Sequence, residues 1–115
     1  MAPTVLIVDD HAGFRSAARA VLEAAGYDVV AESATGIEAL EAVERLNPSL
    51  VLLDIGLPDL DGIEVAGRLT TADRSLAVVL TSSRDASDYT MDHCGARGFI
   101  PKAELSGAAV AALTA

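Results

Sequence analysis

The chain has 115 residues, 51% of them apolar and only 3% aromatic, with a formal charge of -9 at pH 7. This length supports one domain, with a single core built from Val, Leu, Ile and Ala. The acidic balance argues against direct binding to nucleic acid or anionic membrane, which select basic surfaces, and no apolar run is long enough to span a bilayer.

Residues Thr4 to Asp9 begin as a buried strand and end in the pair Asp9-Asp10. A cleavable leader would not carry those aspartates, so a cytoplasmic location is expected. From Phe14 to Ala25 the apolar positions Phe14, Ala17, Ala18, Val21, Leu22 and Ala25 recur at helical spacing, and Gly26 stands where a helix stops. Tyr27 to Ala31 reads as a short second strand. Thr35 followed by Glu38 matches a capping box, opening a helix with Ile37, Leu40, Val43 and Leu46 inward. Asn47-Pro48 ends that helix, because the residue before proline avoids the helical region.

Leu50 to Asp54 is the third strand, and the turn residues of Pro58-Asp59-Leu60-Asp61-Gly62 follow it closely. Asp61 and Glu64 repeat the capping-box spacing, and a third helix runs to about Leu69. Leu76 to Thr81 is the fourth strand. Asp85 to His93 reads as a weakly amphipathic fourth helix closed by Gly95. Arg97 to Ile100 is a short fifth strand, and Leu105 to Leu113 a final alanine-rich helix. Strands alternating with helices through short loops predict an α/β fold, with one five-stranded parallel sheet covered on both faces. No linker, repeat or low-complexity segment interrupts 1-115, so a single domain is expected.

In such a sheet the carboxyl ends of the strands share one edge, where open α/β folds place their chemistry. Strand one brings Asp9 and Asp10 to that edge, strand three Asp54, strand four Thr81, and strand five, after Pro101, Lys102. Each residue alone has an ordinary reading, as a helix cap, a strand end or a surface lysine. Three converging carboxylates, however, repel one another unless a cation sits among them. Mg2+ suits such a set, since it needs only one or two carboxylates and keeps several waters. With Asp54 as an attacking carboxylate and Lys102 to hold charge, these are the parts for phosphoryl transfer.

Four segments carry a resemblance: Ile7-Val8-Asp9-Asp10, then Leu52 through Gly62, then Val79-Leu80-Thr81-Ser82, then Gly98-Phe99-Ile100-Pro101-Lys102. Together, and in this order, they resemble the receiver domain of bacterial response regulators over essentially the whole chain. The resemblance implies the flavodoxin-like, doubly wound strand order 2-1-3-4-5. It implies that Asp54 accepts a phosphoryl group from a sensor histidine kinase. Asp10 would ligate Mg2+ directly, Asp9 largely through water, and the Gly56 carbonyl and Asp54 would complete the protein ligands. Thr81 and Lys102 would hold phosphoryl oxygens. Thr81 and Phe99 would act as the switch that remodels the face of the fourth helix, fifth strand and fifth helix. The expected readers are a downstream effector or a fused output domain, and phosphorylation-dependent homodimerisation is a further expectation. Two departures are local: the family often has proline directly after this lysine, whereas here Pro101 precedes Lys102, and Ser82 and Ser83 follow Thr81 as alternative hydroxyls, Thr81 being preferred because it ends the apolar run Val78-Val79-Leu80.

Three other readings stand beside this one. A phosphatase with an aspartate nucleophile would usually carry Asp-x-Asp after strand one and a cap. A flavin or nucleotide module would need a phosphate loop where Asp10-His11-Ala12-Gly13 is anionic. An interaction module that is never phosphorylated would not need the full acidic, hydroxyl and lysine set. His11 and His93 read as exposed residues without a partner at metal-ligand spacing. Cys94 reads as a small structural residue, ruling out an intrachain disulfide because it is the only cysteine. Tyr27, Tyr89 and Phe14 read as packing or surface residues.

Overall fold

A computed structural model describes residues 2-83 and 95-114. In chain order these form β1 (Thr4–Val8), α1 (Ala12–Ala24), β2 (Asp28–Ser33), α2 (Gly36–Leu46), β3 (Leu50–Asp54), α3 (Gly62–Ala72), β4 (Ala77–Ser82), β5 (Gly98–Pro101), a 3-10 turn (Lys102–Glu104) and α4 (Gly107–Thr114). The five strands pair in parallel in the order β2-β1-β3-β4-β5, the doubly wound order expected. The helix predicted over 85-93, with Tyr89, His93 and Cys94, lies outside the described residues.

Strand alternation divides the core into two layers. Val5, Ile7, Leu50, Leu52, Ala77, Val79 and Ile100 pack against Ala18 and Leu22 of α1 and Val110 of α4. Leu6, Val8, Val51, Leu53, Val78 and Leu80 pack against Ala39 and Ala42 of α2 and Val65, Ala66 and Leu69 of α3. Burial on both faces is why β1, β3 and β4 are nearly continuous apolar runs.

The helix ends follow local chemistry. Gly26 takes φ 96° after α1, a conformation that an L side chain resists. Asn47 closes α2 in the left-handed region at φ 48°, just before Pro48. Thr35 Oγ1 accepts from the Glu38 amide at 3.1 Å, and Asp61 Oδ1 from the Ile63 amide at 2.8 Å.

The inward face of α2 differs from expectation. Its buried stripe is Gly36, Ala39 and Ala42, with Leu40 and Val43 at the margin, while Ile37 is 54% exposed and Leu46 38% exposed. Small residues face the sheet because the helix packs close to it. Gly36 itself sits against Leu60 and Val65, where an added Cβ would lie about 3.0 Å from the Leu60 side chain.

Candidate functional site

The same alternation builds the site. Asp9 follows Ile7, Asp54 follows Leu52, Thr81 follows Val79 and Lys102 follows Ile100, each two residues on. All four continue the layer that faces α1 and α4, at the carboxyl ends of four different strands. Asp54 is the register partner of Thr81 across β3 and β4. Ser82, one residue further along β4, belongs to the opposite face.

Asp9 is wholly buried and Asp54 is 4% exposed, whereas Asp10 is exposed. The Lys102 ammonium bridges the two buried carboxylates, 2.6 Å from Asp9 Oδ2 and 3.5 Å from Asp54 Oδ2. Asp54 Oδ1 also accepts from the Gly56 amide at 3.2 Å. Burial pushes the Asp54 carboxyl above the ordinary carboxylate range, and the neighbouring Asp9 charge adds to this. The Gly56 amide and Lys102 act in the opposite direction. The Thr81 hydroxyl is buried without a hydrogen-bond partner, a position that normally costs free energy. Phe99 lies across the sheet from this group, half-buried against the α2/α3 layer and paired in register with Leu80.

A glycine shapes the ground beneath Asp54. A Cβ at Gly62 would collide with the Asp54 carbonyl oxygen and come within 2.6 Å of Ile55 Cα. The missing side chain lets the first turn of α3 close on the end of β3, where the Gly62 amide donates to the Ile55 carbonyl at 2.9 Å. Gly56, by contrast, has open space around it.

Three participants are not apparent from sequence. His11 does have partners: its Nδ1 lies 3.1 Å from both Asp9 Oδ1 and Asp10 Oδ1, and its amide donates to Asp9 Oδ1 at 2.8 Å. Phe14 packs against the α1-side core as expected and also presents its ring to the Lys102 ammonium, 4.7 Å from the centroid, in a cation-π contact. Arg15 donates to the Asp9 carbonyl at 2.7 Å and is steadied by Glu32 at 3.1 Å. Only the position of these residues, just after the aspartate pair on the first turns of α1, could have drawn attention to them.

Single oxygens of Asp9, Asp10 and Asp54, together with a ring nitrogen of His11, fall within 4.8 Å of one another. The carboxylate donors fit a hard divalent cation, which would relieve the repulsion that Lys102 only partly offsets. The fold and this cluster define an open parallel α/β domain with an acidic group suited to a cation at its strand ends. Residues 5–114 match the response regulator receiver domain family, and the chain belongs to it.

The BvgA transcription regulator of virulence factors from Bordetella pertussis is 39% identical over 102 residues, covering 87% of this chain and 49% of that protein. The chain therefore spans about half the length of such relatives. The chemotaxis protein CheY of Bacillus subtilis is 34% identical over 104 residues, covering 89% of this chain and 87% of CheY. Among solved structures, the signal receiver domain of NarL from Mycobacterium tuberculosis superposes with a TM-score of 0.85 at 29% identity, covering 97% of this chain and 96% of that one. Receiver domains are signalling domains that bind Mg2+ at an acidic cluster and work with kinases and output domains. No helix among the described residues is long and apolar enough to cross a membrane.

Proposed function

We propose that Asp54 takes a phosphoryl group from the phosphohistidine of a sensor histidine kinase, making this chain a reversible signalling switch in the cytoplasm. An Asp54 carboxylate oxygen forms the new bond to phosphorus as the phosphorus-nitrogen bond breaks, and the electron pair leaves with the imidazole. The observation that carries this reading is the buried Asp54 carboxylate held by the Lys102 ammonium and the Gly56 amide, with Thr81, whose buried hydroxyl has no partner, beside it in register. Asp9, Asp10, Asp54 and the Gly56 carbonyl would hold Mg2+, which when bound neutralises charge on the transferring group. Lys102 and Thr81 supply donors to phosphoryl oxygens. Phe99 then repacks on the α2/α3 side of the sheet as Thr81 turns to the new group, a local charge event biasing a two-state element. We place 1-115 in a single receiver unit whose output lies in a fused domain or a partner. Its own chemistry is limited to self-catalysed transfer to, and hydrolysis from, Asp54. Phosphorylation-dependent homodimerisation and the absence of direct nucleic-acid or membrane binding belong to the same reading.

Intact mass after incubation with Mg2+ and a small phosphodonor tests it. Wild type gains the mass of one phosphoryl group and Asp54→Asn does not. No adduct with donor and Mg2+ in excess would overturn the reading and favour an unphosphorylated interaction module. Phosphate release over many turnovers without an adduct would instead favour a phosphatase.

A further inference from the structure

We infer that His11 gives the acidic pocket a second ion class: it is a nitrogen ligand through which the pocket takes Zn2+ in competition with Mg2+. The inference rests on the proposed cation site but adds a residue that Mg2+ chemistry does not call for, since Mg2+ prefers oxygen donors throughout. Imidazole nitrogen favours zinc and the later transition metals.

His11 is held in place for this role. It is the N-cap residue of α1, yet its side chain makes no capping bond. Its ring is turned instead toward the carboxylates, with Nδ1 at 3.1 Å from an oxygen of each of Asp9 and Asp10. The bond from its own amide to Asp9 Oδ1 fixes the turn that aims it. The side chain is 70% exposed, so the ring can turn between carboxylates and ion without repacking the core. One ligand atom each from Asp9, Asp10, His11 and Asp54 lies within 4.8 Å of the others, a grouping of four small enough for a single ion. Asp9 turns Oδ1 to His11, while its other oxygen, Oδ2, is buried without a hydrogen bond and lies 2.6 Å from the Lys102 ammonium. Because the three carboxylates are shared, the two ions exclude each other.

Calorimetric titration of the full chain with ZnCl2 and with MgCl2, for wild type, His11→Ala and His11→Gln, tests the inference. Loss of His11 should weaken zinc binding by at least about tenfold while moving Mg2+ binding far less. Excess Mg2+ should weaken the apparent zinc affinity of wild type. Ring-nitrogen NMR of 15N-histidine-labelled protein adds a direct readout: a His11 signal shifts with Zn2+ and not with Mg2+. Equal zinc affinity in wild type and both variants, or zinc and Mg2+ binding independently, would overturn it. If wild type binds zinc through His11 but never binds Mg2+, the Mg2+ assignment falls and the His11 ligand stands. If it binds Mg2+ and zinc ignores His11, the reverse holds.

Discussion

Asp54 is a carboxyl whose folded environment favours its protonated form, first through burial and then through the charge on Asp9. A carboxyl raised in this way contributes stability below the ordinary carboxylate range, and that contribution is lost as pH rises through the raised folded value. At neutral pH the ionised group therefore weighs against the fold unless a cation compensates it. Asp54→Asn, measured without divalent ions, should raise stability at neutral pH by about 1 kcal/mol, a gain that shrinks as the pH is lowered into the carboxylate range. Adding Mg2+ should stabilise wild type more than the variant, because an ion that binds only the native state stabilises by mass action. Thermal unfolding at two pH values, with and without Mg2+, checks both parts; a variant less stable than wild type at neutral pH would contradict the account.

Two connections hold the loop after β3, and each makes an element-scale prediction. Asp59 reaches from that loop to the start of α2, accepting from the Gly36 amide at 2.8 Å and the Ile37 amide at 3.0 Å. The Ile37 and Gly36 amides hold the Asp59 carboxyl below the usual carboxylate range. Its contribution is therefore present above that range and lost as pH falls through the depressed value. Hydrogen exchange should show the Gly36 and Ile37 amides less protected in Asp59→Ala, and in wild type as acid titrates Asp59; unchanged protection would count against the cap. Gly62 is the second connection. Gly62→Ala forces its Cβ into the Asp54 carbonyl, so denaturant unfolding should show a loss of about 1-3 kcal/mol, with weakened Mg2+ binding as β3 shifts. β1, β3 and β4 were legible in sequence because two-sided burial writes them as continuous apolar runs, whereas the strand order followed from the family resemblance. The inward face of α2 was not legible, since the larger side chains Ile37 and Leu46 drew the stripe away from Ala39 and Ala42. The site aspartates, Thr81 and Lys102 were legible as strand-end residues. The His11, Phe14 and Arg15 contacts depend on how α1 is set against the sheet, which periodicity does not encode.

At the scale of the whole molecule, the two core layers are unequal partners of the site. Ile7, Leu52, Val79 and Ile100 each stand two residues before a site side chain and on its face of the sheet, forming a floor beneath Asp9, Asp54, Thr81 and Lys102. Leu53 and Leu80 are as deeply buried but belong to the α2/α3 layer, against which Phe99, the register partner of Leu80, packs. Leu52 and Leu53 are adjacent in β3 and 1% and 0% exposed, so they permit a controlled comparison. Either residue changed to alanine removes the same atoms from a close-packed interior and should cost about 2-5 kcal/mol. The functional consequences should differ. Leu52→Ala opens its cavity directly under Asp54, where relaxation of the floor lets the carboxylate move against Lys102 and the rest of the cation pocket. Leu53→Ala opens its cavity on the other face, toward Val65 and Leu69 of α3. Urea unfolding combined with Mg2+ titration of the folded variants should find similar losses of stability, with the larger loss of Mg2+ affinity in Leu52→Ala. Equal effects on affinity would mean that the sheet transmits strain across its thickness, and that the layer beneath the site has no privileged role in holding it.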